Sequence, residues 1–279
     1  MPELVEISKR ITPRNPATTP QRIPRIIWQT MKSNMVPPIM KTYADSWINL
    51  NPEYEYRFFA DGDVVAFIQE EFPHFLEGYN NIKYGASKAD LWRYLVLYKY
   101  GGVYADIDCK CHQPMNNWVD PQAAFTTQIG INRDICQWLI MSEPGNPIFL
   151  RAAEQALENI RLKKYSAKYV GFKLQGNRLV LCDKVEPYEV YHEVMGLAGP
   201  PVLQEAAEKA LISGELNHIW SEVQVVCVSK GNISCQMAGN VSHDTGNEEY
   251  LKGLKTLKTP YYDNFVARWL RKLFPPKKK

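Results

Sequence analysis

Ala86-Ser-Lys-Ala-Asp-Leu-Trp-Arg-Tyr-Leu-Val-Leu-Tyr-Lys-Tyr-Gly-Gly-Val-Tyr-Ala-Asp-Ile-Asp108 changes its hydrophobic period once, at a pair of glycines. Before the glycines, Leu91, Tyr94, Leu95 and Tyr98 keep the i, i+3, i+4, i+7 spacing of a helix stripe. Asp90 and Arg93, three apart, are neighbours on the surface of that helix. Gly101 and Gly102 supply the left-handed backbone that ends helices. After them Val103, Ala105 and Ile107 alternate with Tyr104, Asp106 and Asp108, the period of a strand. The apolar set is expected to face the core, with Tyr104, Asp106 and Asp108 together on the other side. Two carboxylates then stand at the end of a buried strand, behind a helix that carries an acid and a base on one face. Such an arrangement suits a divalent cation held against a charged, phosphate-bearing ligand.

Each piece also has an ordinary reading. A second Asp-x-Asp, Asp61-Gly62-Asp63, reads as a turn running into a helix start. An Asp–Arg pair on a helix is most often a solvated face. The pair at 106 and 108 differs because charged residues are disfavoured in strands. These two close an otherwise hydrophobic strand, where open α/β sheets place their ligands.

Asp90-x-x-Arg93, Leu97 and Tyr100-Gly101-Gly102-x-Tyr104-x-Asp106-x-Asp108 together resemble the signature of the DXD-containing, sugar-binding-region glycosyltransferases, family thirty-two. That family includes yeast mannosyltransferases of the Och type and bacterial capsule and lipopolysaccharide enzymes, and is distantly similar to the glucosyltransferase domains of clostridial toxins. The resemblance extends to Ile23-Pro24-Arg25-Ile26-Ile27-Trp28-Gln29-Thr30, to Ser46-Trp47 and Asn51-Pro52-Glu53-Tyr54-Glu55-Tyr56, to Gly199-Pro200 and to Val241-Ser242-His243, covering roughly residues 22–245. Two positions depart from the pattern. Ala89 stands where the family has Ser, and Trp28 where it has His and the toxin branch has Trp.

The resemblance implies a GT-A type α/β fold and metal-dependent transfer of a sugar from a nucleotide-diphosphate donor, UDP- or GDP-linked, with retention of configuration. It implies Asp108 as the direct ligand of Mn²⁺ or Mg²⁺. Asp106 would lie on the ribose and sugar side, reaching the metal through water. His243 would be a further ligand, on a late polar loop able to close over the donor. Asp90 would hold sugar hydroxyls and Arg93 the diphosphate or the sugar. Trp28 would stack the nucleobase, with Gln29 and Tyr104 also in the donor site. Carboxylate ligation suits hard divalent ions, and such an ion neutralises a departing pyrophosphate.

The rest of the chain reads as one α/β domain. Residues 1–21 form an N-terminal arm, 22–262 the catalytic domain and 263–279 a basic tail. Strands are expected at Ile23 to Gln29, at Tyr54, Tyr56 and Phe58, and at Val223 to Val228. Helices are expected over residues 37–49, with Ile39, Tyr43 and Trp47 on the buried stripe, and from Asp61, Pro147 and Pro201, with a hairpin near Leu179 to Pro187. The order of strands and helices predicts a Rossmann-like mixed sheet flanked by helices, with a helical insertion.

A 279-residue chain with 45% hydrophobic and 23% charged residues is ordinary for a globular enzyme. No apolar run is long enough to span a bilayer. The first residues lack the apolar core of a signal peptide. Six scattered cysteines read as reduced thiols of a cytoplasmic protein.

The net charge of +3 belongs to the tail, where Arg268, Arg271, Lys272, Lys277, Lys278 and Lys279 lie. Phe265, Trp269 and Leu273 share a stripe there, so the tail is expected to be an amphipathic helix contacting anionic lipid at the inner face of the membrane, the alternative being a C-terminal helix docked on the body and followed by a lysine tail. Basic patches interleaved with aromatics are otherwise missing, so nucleic acid is not an expected partner. The acceptor is expected to be a glycan or lipid-linked hydroxyl in polysaccharide or envelope glycan biosynthesis. The rival readings are a toxin-like transferase acting on protein and a two-metal phosphate enzyme.

Overall fold

The computed structural model describes residues 4–129, 134–164, 166–175, 178–182, 188–191, 193–214, 223–226 and 235–237. In chain order these hold strands β1 Val5–Glu6, β2 Arg10–Ile11, β3 Ile26–Thr30 and β4 Met35–Val36, helix α1 Pro38–Leu50, β5 Glu55–Phe59, α2 Asp61–Glu71, α3 Leu76–Asn81 and α4 Gly85–Tyr100. There follow β6 Gly102–Ala105, β7 Cys109–Cys111, β8 Phe125–Ile129, β9 Ile135–Ser142 and α5 Pro147–Leu162. The last described elements are β10 Ser166–Tyr169, β11 Phe172–Gln175, β12 Arg178–Leu181, β13 Tyr188–Tyr191, α6 Glu193–Ala198, α7 Pro200–Ile212, β14 Val223–Val226 and β15 Cys235–Met237.

Seven strands form the central sheet in the order β14-β8-β9-β6-β3-β5-β2. β3 is parallel to both β5 and β6, β14 is parallel to β8, and β9 runs antiparallel between β8 and β6. This is the expected mixed, helix-flanked α/β sheet. Its two faces carry separate cores. One gathers Trp28, Tyr104 and the apolar residues of α2, α4, α5 and α7. The other gathers Ile27, Tyr56, Phe58, Val103 and Ala105 under α1 and β7.

The sequence periods place most elements within a few residues, and four differences have physical causes. The lead-in is not a loose arm throughout: β2 pairs with the sheet edge at β5 and β1 pairs with β4. The buried stripe of α1 is Met40, Ala44 and Trp47, while Ile39 in its first turn is 42% exposed. The antiparallel hairpin is β11–β12, slightly earlier than expected, and residues 183–187 lie outside the described residues.

The fourth difference is at the acids. β6 ends at Ala105, not at Asp108. The Asp106 N–H still donates to Trp138 O on β9, and then Cys109 N–H donates to Asp106 O, closing a four-residue turn. The alternation of Val103 and Ala105 with Tyr104 is as expected, but Tyr104 is buried too, in the core on the opposite face with Trp28.

Gly101 and Gly102 explain why α4 can feed β6 so abruptly. Both have positive φ, +63° and +100°. A Cβ on Gly102 would lie 2.7 Å from Ile26 O and 2.8 Å from Trp28 Nε1. Neither the backbone conformation nor the space admits a side chain. Gly102→Ala is therefore expected to destabilise the fold by about 2–4 kcal/mol, read as a lower urea midpoint at unchanged slope.

Candidate active site

The site lies at the C-terminal end of β6, where the chain turns through Asp106-Ile107-Asp108 into β7. Helix α4 crosses beneath it. The helix buries residues around most of its circumference, because the sheet lies on one side and α5 on the other. Asp90 and Arg93, expected on a helix surface, are therefore interior, with 7% and 5% exposure.

Arg93 is the hub. Its Nη2 lies 3.0 Å from Asp90 Oδ1 and 3.2 Å from Asp106 Oδ1, its Nη1 donates to Gln137 O, and its guanidinium packs 4.2 Å from the Tyr104 ring centre. The Tyr104 hydroxyl donates to Asp106 Oδ1 at 2.7 Å. Tyr104 is thus a buried strut under Asp106, not a wall of an open pocket.

Two carboxylates, Asp90 and Asp106, contact this single guanidinium, and Asp108 follows two residues further along the turn. Burial pushes the Asp108 carboxyl up to about 7, and the neighbouring Asp106 charge pushes the same way. Burial likewise raises Asp90 to about 7, against the pull of Arg93 and with the push of Asp106. Negative charge is in excess at the end of β6, and added protons or an added cation relieve it.

Two acids side by side with uncompensated charge form a hard-oxygen donor pair that fits Mg²⁺ or Mn²⁺. Among the described residues no group of three or more His, Cys, Asp or Glu is gathered around one point. His243, the expected further ligand, and the tail at 263–279 lie outside the described residues.

Trp28 does not sit where a nucleobase could stack on it. It is fully buried: Tyr100 stacks on it at 5.9 Å, Phe59 meets it edge-on and Arg57 lies 5.3 Å from its ring centre. Its Nε1 donates to Gly101 O, tying β3 to the turn between α4 and β6. Gln29 is also fully buried. Its Nε2 donates 3.2 Å to Asp106 O, so it holds the acidic turn from below. Both faces of β3 are covered at these positions, which the sequence period could not report.

Sequence reasoning missed Trp138, Gln137 and Tyr56. Trp138 O and Gln137 O receive Asp106 N–H and Arg93, and they reach the site only through the antiparallel register of β9 on β6. Tyr56 had only its apolar alternation as a signal, and that signal correctly reads as core.

This sheet, with its acids beyond a central strand, is that of a GT-A type glycosyltransferase domain. The ligand-free glycosyltransferase domain of the YGT toxin has a similar fold, with a TM-score of 0.53 at 8% identity, covering 91% of this chain and 90% of that one. The chain carries the family region described as the glycosyltransferase sugar-binding region containing DXD motif, matched over residues 37–125, as the resemblance in its sequence implied.

It is similar to the mannosyl phosphorylinositol ceramide synthase SUR1 of Saccharomyces cerevisiae, 37% identical over 139 residues, 48% of this chain and 34% of that protein. It is also similar to inositol phosphoceramide mannosyltransferase 3 of Schizosaccharomyces pombe, 40% identical over 94 residues, 34% of this chain and 26% of that protein. The chain thus spans about a third or less of the length of these relatives.

The raised carboxyls give the site a pH signature. Folded Asp90 and Asp108 keep protons up to about pH 7, which the unfolded chain releases near pH 4. Their contribution to stability is present at acid pH and lost as pH rises through 7. Metal-free protein is expected to lose thermal stability between pH 5 and 8, and Asp108→Asn to flatten that slope. Thermal unfolding in chelator across this range reads the difference.

Proposed function

We propose that this chain is a metal-dependent glycosyltransferase that moves a mannosyl group from a nucleotide-diphosphate sugar, UDP- or GDP-linked, to a glycolipid or glycan hydroxyl. The excess of carboxylate at the C-terminal end of β6 carries the reading. Asp108, with Asp106, would hold Mn²⁺ or Mg²⁺, and His243 is the proposed further ligand. The ion supplies neutralising charge to the pyrophosphate as the glycosidic bond breaks.

Arg93 fixes the Asp106 carboxylate and adds positive charge beneath the diphosphate. Asp90, whose charge Arg93 shares, is proposed to accept sugar hydroxyls. Tyr104 and Gln29 serve the donor through Asp106, to which both hydrogen-bond. We assign retention of configuration, with the departing phosphate assisting the acceptor hydroxyl on the same face, since no side chain of the site is assigned as a nucleophile. A covalent sugar adduct trapped on any side chain would overturn that assignment.

A glycolipid acceptor is favoured over a protein one because the relatives named above are, by name, a mannosyl phosphorylinositol ceramide synthase and an inositol phosphoceramide mannosyltransferase. The likeness to a toxin domain concerns the fold. A two-metal phosphate enzyme is disfavoured because the second acidic pair is committed elsewhere. Asp63 binds Lys9 and the Ala60 N–H, and Asp61 stands near Lys88 and Lys32.

A panel of nucleotide sugars, screened for metal-dependent release of free nucleotide diphosphate, tests the reading. Asp108→Asn is expected to lower turnover by at least about 100-fold with the melting temperature retained. Lys88→Ala, on α4 but turned onto the Tyr79 ring, is expected to stay within about threefold of wild type. Release that is equally fast in chelator would refute metal dependence.

We further propose that residues 263–279 dock on anionic membrane. Among the described residues no helix is long and apolar enough to cross one. The full chain is expected to co-sediment with phosphatidylserine-containing vesicles at low salt, and a chain ending at residue 262 to stay in the supernatant.

A further inference from the structure

Asp106 is held by more than its side-chain partners. Its carbonyl oxygen accepts from Gln29 Nε2, and the amide oxygen of Gln29 accepts from the Tyr56 hydroxyl at 2.8 Å. Tyr56 and Gln29 have 1% and 0% exposure, so neither polar group can turn to water. The amide of a glutamine can be turned either way round. Here the hydroxyl decides: by donating to Oε1 it leaves Nε2 as the group facing the Asp106 carbonyl. The reverse orientation would set two oxygens against each other. The two bonds run from the start of β5 across β3 to the turn after β6, linking three neighbours in the sheet order.

The turn's other backbone bonds run from Asp106 N–H to Trp138 O on β9, from Cys109 N–H to Asp106 O, and from Trp47 Nε1 on α1 to Cys109 O. Without Gln29 the Asp106 carbonyl would lose its partner on the β3 side, a buried polar loss that invites the turn to shift.

We propose that Tyr56 is a positioning residue for the acidic turn, acting through Gln29 on the Asp106 peptide and so on the placement of Asp106 and Asp108. The proposal rests on the reading of those acids as the cation-holding pair. Tyr56 touches neither acid side chain. It sets the amide, the amide sets the peptide, and the peptide sets where two carboxylates point. A charged site of this kind loses function when its groups move by about 1 Å.

The test uses the full-length chain with Tyr56→Phe, which keeps the ring and removes only the hydroxyl, and Gln29→Leu. Hydrogen exchange of the 106–109 amides is read in metal-free protein. It is expected to speed up at least tenfold in both variants, with exchange in β3 and β5 unchanged. Apparent Mn²⁺ affinity is read by electron paramagnetic resonance on the same samples, and is expected to fall at least fivefold. In turnover, kcat and metal affinity should fall while the donor KM changes less than twofold.

Tyr56→Phe with wild-type exchange in the turn overturns the proposal, and so does faster exchange with unchanged Mn²⁺ affinity. Wild-type protein that binds no Mn²⁺ refutes the metal reading instead, and exchange of the turn then decides the positioning claim alone. If Gln29→Leu fails to fold, Tyr56→Phe carries the test.

Discussion

The interaction on which the rest depends is the buried contact of Arg93 with Asp90 and Asp106. A guanidinium taken out of water is costly unless it is paired and hydrogen-bonded. Here it is paired twice, and it donates to the Gln137 carbonyl as well. Arg93 thereby joins α4, the turn after β6 and β9 in one place. The geometry of the acids follows from that junction rather than from the acids' own preferences.

The pairing is deliberately incomplete in charge. One guanidinium pairs with two carboxylates, and burial raises the carboxyls of Asp90 and Asp108, with the Asp106 charge pushing the same way. A purely structural network would be expected to balance. Asp106 and Asp108 lie nearer the surface, whereas Asp90 and Arg93 lie deeper. The deeper Asp90–Arg93 pair thus supports the turn from below through Asp106.

The aromatic residues near the site serve this support. Trp28, Tyr104 and Tyr56 are each buried and each spend their one polar hydrogen at one end of β6 or beside it: on Gly101 O before the strand, and on Asp106 Oδ1 and Gln29 Oε1 at the turn after it. Aromatic side chains with a polar tip do this well, filling core volume with the ring and holding a backbone or carboxylate with the tip. Trp28 and Tyr104 were expected to face a ligand. Their burial moves them from recognition to construction, and Gln29 moves with them.

What the sequence by itself determined was local: the helix before Gly101, the strand after Gly102, and the helices opened by Pro147 and near Pro201. Periodicity and backbone stereochemistry act over a few residues, so one chain is enough to read them. Only the tertiary structure decided which faces were covered. A period of two says that Tyr104 and Val103 point opposite ways, but not that a helix roofs one side and a second core the other. Nor could spacing reveal that Trp138 O binds the Asp106 N–H, Gln137 O binds Arg93 and Tyr56 binds Gln29, because they arrive through strand register across the sheet. The strand stopped at Ala105 for the same reason: a hydrogen bond from Cys109 to Asp106 competed with further pairing and turned the two carboxylates out of the sheet.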